Sequence, residues 1–168
     1  SAQRQHRINR TYVPVEATVV SAQVGSFKSS KGAVHYVPEV VVLNNLEFDH
    51  ADIFSSLGDI QTSFKRLINI IPRNGQLLAN GDDPNIAPLL DGTHCPVKRF
   101  GLGEQNAVRA FNVRLGPTAS EFEIPSAKFH INLVGELNVR NALAVVACAK
   151  HCGLKNSQIQ SAFDTFKG

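Results

Sequence analysis

Two hydrophobic periods run along this chain, and the change from one to the other divides it. Val40, Val41, Val42 and Leu43 form an unbroken apolar run rich in β-branched residues. A run without alternation is what a strand covered on both faces needs, as in a parallel sheet flanked by helices. It stops at Asn44 and Asn45, and Glu47, Asp49, His50 and Asp52 follow within the stretch 47–52. A strand over 39–43 would therefore deliver a polar loop to the edge of a sheet, where α/β proteins hold their ligands. The same residues admit a plainer role, because Asp49 or Asp52 suits the N-cap of the next helix.

That helix is predicted by Ile60, Phe64, Leu67, Ile68 and Ile71 at helical spacing, closed by Pro72 and Gly75. Residues 76–79 read as a strand. Asn80-Gly81-Asp82-Asp83-Pro84 reads as a turn that opens a short helix through Leu90, with Asp83 as cap and Pro84 at the first helical position. Adjacent aspartates also suit a metal, but turn and cap chemistry accounts for them. Residues 97–100 form another predicted strand, ended by Gly101-Leu102-Gly103. No helix follows directly, so these glycines are not a nucleotide fingerprint.

From 107 to 134 the period becomes two: Val108, Ala110, Phe111 and Val113, then Phe122 and Ile124, then Phe129, Ile131 and Leu133. With turns at Gly116-Pro117 and Pro125-Ser126, this predicts a small antiparallel meander. Helical spacing returns with Val139, Ala142, Leu143 and Val146, placing Asn138 at the N-cap and Asn141 in the first turn. A last helix over 157–166 opens on Ser157-x-x-Gln160 in capping-box form. Earlier, a β-prone run over 11–20 broken by Pro14 reads as an edge strand, and 21–32 as a Ser/Gly/Lys-rich loop. The expected architecture is α/β, a largely parallel sheet flanked by helices plus a small antiparallel meander. Residues 1–33 form an N-terminal segment and 34–168 the domain.

Composition narrows the class. A length of 168 residues with 43% hydrophobic and 18% charged residues suits one soluble domain with a single good core. No apolar run approaches the roughly 20 residues that span a bilayer, and the polar, basic start is not a secretory signal, so a cytoplasmic home is expected. The net charge of +3 owes much to Arg4, Arg7 and Arg10 beside His6. A solvated terminus explains that cluster, and no nucleic-acid or membrane partner is expected. Cys95, Cys148 and Cys152 are odd in number and lack Cys-x-x-Cys spacing. Cys148 and Cys152 share a helical face, but without a second ligand pair the expectation is reduced, structural thiols.

Candidate chemistry sits at two places, the loop after Leu43 and the helix start at Asn138. Each amide offers a donor and an acceptor, so Asn138 and Asn141 together match the edge of an adenine. The alternative is that Asn138 caps and Asn141 packs. No phosphate loop precedes them, since Lys31-Gly32 lacks the glycine spacing that wraps phosphates in backbone N–H groups.

His35-Tyr36, the block Asn44-Asn45-Leu46-Glu47-Phe48-Asp49-His50-Ala51-Asp52, the turn Asn80-Gly81-Asp82-Asp83 and the helix start Gly135-x-x-Asn138-x-x-Asn141-Ala142-Leu143 follow one another in that order. In wording and order, over residues 34–168, they resemble the central domain of the Mur ligases, and within that family the murein peptide ligases. The resemblance implies an ATP-dependent amide-bond ligase of peptidoglycan recycling. Its partners would be UDP-N-acetylmuramate, whose carboxylate becomes an acyl phosphate, and the murein peptide whose amine attacks it. It further implies ATP and Mg²⁺ as cofactors, His50 as a catalytic residue and metal-side ligand, Asn45 as a catalytic neighbour of the phosphate, and Asn138 and Asn141 as adenine contacts. An imidazole must be neutral to ligate, which its ordinary pKa near 6.5 allows at pH 7.

Three departures from the family pattern shape the expectation. The Gly-x-x-Gly-Lys-Thr phosphate loop is absent from these residues, so the fold should lack the first phosphate-loop βα unit. Ser21-Ala22-Gln23-Val24-Gly25-Ser26 stands in place of an acidic, metal-binding segment, and Leu137 stands where a histidine usually precedes Asn138. The N-terminal and C-terminal ligase domains are also expected to be missing here. This polypeptide alone is then expected to be inactive and to bind ATP weakly or not at all. Two alternatives stay open: a fragment of the ligase that adds L-alanine to UDP-N-acetylmuramate, or a non-catalytic remnant that binds a partner or a nucleotide sugar.

Overall fold

A computed structural model describes residues 24–28, 34–47 and 54–166 of the chain. The unbroken apolar run becomes β3 (Val40–Leu43), all four residues of which are buried. It opens a parallel sheet in the order β3–β4–β5–β6, with β4 at Gln76–Asn80, β5 at Val97–Gly101 and β6 at Val108–Arg109. Alternate residues of β3 and β4 reach opposite faces, which explains the missing polar alternation. Val40, Val42 and Leu78 join one core with Phe100 and Val108, whereas Val41, Leu43, Leu77 and Ala79 join another. The second core is closed by α1 (Leu57–Asn69), through Ile60, Phe64 and Ile68.

The N-cap of α1 is Ser56, whose Oγ accepts from the Asp59 N–H at 3.2 Å. The cap position that the sequence offered to Asp49 or Asp52 is thus held by Ser56; those two residues lie outside the described ones. Ser56→Ala should cost about 1 kcal/mol, the usual worth of such a cap. It should appear as a lower urea midpoint with an unchanged slope.

Before β3, β1 (Val24–Lys28) and β2 (Val34–Pro38) form an antiparallel hairpin. Composition alone assigned 21–32 to a loop; backbone pairing with β2 makes part of it a strand, since a partner can override weak local preference. The proposed edge strand over 11–20 lies outside the described residues. After β4, the expected short helix is a 3-10 turn at Ala87–Leu89, and Pro84 sits in the turn before it. Asp83 still acts as a local anchor, accepting from the Asn85 N–H at 2.8 Å.

The alternating region splits. Val108–Arg109 pairs in parallel with β5, and only β7 (Phe111–Leu115), β8 (Ser120–Ile124) and β9 (Ala127–Ile131) form the antiparallel meander. Phe122, Ile124, Phe129 and Ile131 turn inward onto α2 (Glu136–His151) and α3 (Asn156–Thr165). The capping box of α3 falls two residues earlier than the sequence suggests: the Lys155 N–H donates to Gln158 Oε1 at 2.9 Å. Gln160 instead pairs with the backbone of His130, accepting at 3.0 Å and donating at 2.9 Å. It thereby satisfies both polar groups of an edge-strand residue. No helix among the described residues is long and apolar enough to cross a membrane.

Candidate nucleotide site at the strand tips

All strands of the parallel sheet run the same way, so β3, β4 and β5 end along one edge, and the polar residues after them meet there. The loop after β3 is held by the turn after β4. The Leu46 N–H donates to Asp83 Oδ2 at 2.7 Å, and the Leu46 carbonyl accepts from Asn85 Nδ2 at 2.8 Å. Leu46 itself is buried, so the loop is both packed and hydrogen-bonded. Asn80, also buried, donates from Nδ2 to the Asn44 carbonyl at 2.8 Å and accepts from the Asp82 N–H at 3.0 Å.

Across this edge lies the start of α2. Asn44 Nδ2 donates to Asn141 Oδ1 at 2.5 Å, joining residues 97 apart in the chain. That contact leaves the Asn141 amide its Nδ2 as a donor. Asn138 is not the N-cap; Gly135 is, with φ of +93°, a conformation that favours glycine. Asn138 sits inside the first turn and donates from Nδ2 to the Val134 carbonyl at 2.8 Å, leaving Oδ1 as an acceptor. Asn138 and Asn141 stand on the rim of a cavity of about 440 Å³ whose walls include Leu133, Val145, Phe163 and Phe166. An apolar slot with one amide acceptor and one amide donor at its mouth suits a flat heteroaromatic base.

Of the residues singled out from sequence, the structure brings Asn138 and Asn141 together on that rim. Asn45 is exposed, and among the described residues its amide reaches Glu47, at 3.5 Å. Its neighbour Asn44 is the residue that touches Asn141. His50 lies outside the described residues, together with Asp49 and Asp52. Among the described residues no group of three or more His, Cys, Asp or Glu side chains is placed to hold a metal ion. Two carboxylates nearby are already committed: Asp83 to backbone N–H groups and Asp82 to a cradle of donors. The described residues alone therefore supply no complete ligand set for Mg²⁺. Cys95 and Cys148 are buried free thiols; burial pushes both up, and for Cys148 the neighbouring Cys152 adds to it.

The Asp82 cradle escaped sequence reasoning. Its carboxylate accepts from the Leu102 N–H at 2.6 Å, the Gly103 N–H at 3.0 Å, Asn106 Nδ2 at 2.6 Å and Arg140 Nη1 at 2.8 Å. Burial works to raise this carboxyl, but the bonds from Leu102, Asn106, Gly103 and Arg140 outweigh it and hold it below its ordinary 3.8. Burial likewise works to lower the Arg140 guanidinium, and its bonds to Glu136 and Asp82 outweigh that and raise it. No local signal marks Asp82 and Arg140 as partners, because they are 58 residues apart. The Gly101-Leu102-Gly103 motif, which is no nucleotide fingerprint, thus wraps an internal carboxylate with its N–H groups.

The family described as Mur ligase middle domain matches residues 9–149 of this chain. A relative from Escherichia coli, UDP-N-acetylmuramate–L-alanyl-γ-D-glutamyl-meso-2,6-diaminoheptandioate ligase, is 36% identical over 138 residues, covering 79% of this chain and 30% of that protein. UDP-N-acetylmuramate–L-alanine ligase of Clostridium acetobutylicum is 28% identical over 141 residues, covering 80% of this chain and 31% of the relative. Among solved structures, UDP-N-acetylmuramate:L-alanyl-γ-D-glutamyl-meso-diaminopimelate ligase from Neisseria meningitides superposes with a TM-score of 0.66 at 36% identity, covering 80% of this chain and 42% of that one. MurF from Acinetobacter baumannii superposes with a TM-score of 0.70 over 78% of this chain and 30% of its own, and at 24% identity speaks for the fold alone. The chain spans about 30% of the length of the curated relatives it matches.

Proposed function

Because this chain belongs to the Mur ligase middle-domain family, we propose that it forms the nucleotide-binding central part of an ATP-dependent amide-bond ligase. The reaction joins the carboxylate of UDP-N-acetylmuramate to the amine of a murein peptide through an acyl phosphate, in cytoplasmic peptidoglycan recycling. ATP and Mg²⁺ are the cofactors. Asn138 and Asn141 contact the adenine, Asn45 lies near the phosphates, and His50 is the metal-side ligand. The domain comprises residues 34–168, with 1–33 as a preceding segment. The observation that carries this reading is the pair of amides on the rim of an apolar cavity beside the β3 tip.

The peptide rather than L-alanine is favoured as the amine substrate by the 36% identity to the tripeptide ligase against 28% to the L-alanine ligase. The alanine ligase is the second reading. Phosphate release from ATP, assayed with UDP-N-acetylmuramate and either amine in the longest polypeptide that contains this chain, separates them. Turnover with the tripeptide supports the first reading, turnover with L-alanine the second, and turnover with neither removes the ligase.

These 168 residues contain no Gly-x-x-Gly-Lys-Thr loop, so they alone should show no turnover and an ADP dissociation constant of ~1 mM or weaker. At about 10 mM ADP the methyl resonances of Leu133 and Val145 should nevertheless shift. The double variant N138A/N141A should abolish that shift while leaving the fold intact. Cavity methyls that stay still in the wild-type chain would remove the nucleotide site.

A further inference from the structure

The first turn of α2 has no side-chain cap. Most helices fix this turn through a residue that bonds their unpaired N–H groups. Here a different device acts on it. Arg140, one turn into the helix, donates from Nε at 3.1 Å and Nη2 at 2.8 Å to Glu136 Oε1 in the first turn, and from Nη1 at 2.8 Å to Asp82 beyond the tip of β4. A guanidinium fork holds two such partners in one plane, which an ammonium does not.

The far end of this link is built with unusual commitment. A Cβ at Gly101 would stand 2.6 Å from Asp82 Cγ, and one at Gly103 would stand 2.8 Å from Asp82 Oδ1. Asn106, buried, donates its Nδ2 to both Asp82 Oδ1 and the Gly103 carbonyl. Two glycines and a buried amide thus hold one carboxylate whose ion-pair partner is Arg140. Packing of α2 onto the sheet through Val139 and Leu143 already fixes the helix as a whole. What packing through Val139 does not supply is a side-chain cap for the first turn, where Asn138 and Asn141 flank Arg140 in sequence.

We infer that the Asp82–Arg140–Glu136 clamp is a positioning device, holding the start of α2 so that the Asn138 and Asn141 amides keep their places on the cavity rim. This inference rests on the nucleotide reading above for its purpose, but not for its geometry. Arg140 acts through its neighbours and touches no base. It keeps the amide acceptor and the amide donor in place in the lining of the cavity.

The test is nuclear magnetic resonance on the 168-residue chain without nucleotide, following the side-chain NH₂ resonances of Asn138 and Asn141 and the backbone exchange of residues 136–140. Arg140→Met should move both side-chain resonances and speed first-turn exchange about tenfold, with the β8 and β9 amides unmoved. Arg140→Lys, which keeps the charge but reaches one partner at a time, should restore part of the wild-type pattern. If Arg140→Met does not fold, E136A removes the outer arm at an exposed side chain and should give the smaller shift in the same direction. Unmoved Asn138 and Asn141 resonances in the folded variants overturn the clamp. The nucleotide reading fails separately: resonances that move in Arg140→Met, with wild-type cavity methyls indifferent to ADP, leave the clamp standing and remove its adenine.

Discussion

Asp82→Asn is expected to lower folding stability by about 2 kcal/mol, the cost of leaving partly buried donors without their acceptor, because the ion pair is only half-buried and Arg140 keeps Glu136. The asparagine is close in shape but replaces one accepting oxygen with an NH₂ group. That group would face the Leu102 and Gly103 N–H groups, Asn106 Nδ2 or the guanidinium, all of them donors. Donors left unpaired away from water carry the penalty, more than the loss of one attractive bond. In a chain of this size the melting temperature should fall by roughly 6 °C. A loss under about 1 kcal/mol would mean that the cradle is solvated in practice and its bonds are not needed.

The same carboxyl sets an acid limit. Its folded pKa lies below the ordinary 3.8, so the folded state favours the ionised form. The stability it contributes is fully present above about pH 4 and is lost as the pH falls from there through the folded value. Wild-type stability should therefore drop below pH 4, and the Asp82→Asn chain should show a shallower drop over that range. Urea midpoints measured between pH 3 and 6 on both chains check the sign.

Phe129→Ala should cost about 4 kcal/mol, as large aromatic truncations in a closed core do. Phe129 is 1% exposed at the centre of β9 and packs against Phe122 with ring centroids 5.5 Å apart. Its other neighbour is Phe163 of α3, edge-on at 5.9 Å. Removing the ring separates the meander from α3 and leaves a void that the sheet cannot close, since β8 holds β9 in register from Ser120↔Ile131 to Ile124↔Ala127. Phe129→Leu should cost about 1.5 kcal/mol or less, because most of the volume remains. Phe163 also walls the cavity beside Asn138 and Asn141. The alanine variant should consequently weaken the ADP-induced methyl shifts too, whereas the leucine variant should preserve them. Equal costs for the two substitutions would show that the site is not tightly packed.

Much of this architecture follows from local pattern. The uninterrupted run at 40–43 required a strand covered on both faces, and the stripes through Ile60, Phe64 and Ile68 and through Val139, Leu143 and Val146 required amphipathic helices. Each is a repeat set by backbone geometry over a few residues, so it is written in adjacent positions. The two amides three apart at the start of α2 were legible for the same reason: one helical turn brings them to one side. Where partners from different elements decide, local reading went astray. Residues 24–28 are a strand because β2 pairs with them, Val108 joins the parallel sheet because β5 lies beside it, and Gln160 serves the His130 backbone instead of its own helix.

The site divides along the same line. Amide chemistry at Asn138 and Asn141 is a property of side chains and was fixed by residue type. Which amide meets the β3 tip is not: Asn44, rather than Asn45, reaches Asn141, because the turn after β4 ties Leu46 to Asp83 and Asn85 and so sets the path of the loop. The pairing of Asp82 with Arg140 was decided only when a parallel sheet brought the end of β4 beside the start of α2. Order along the chain specifies the elements; the contacts between distant ones arise from how apolar faces are buried together, and that information is spread over the whole sequence.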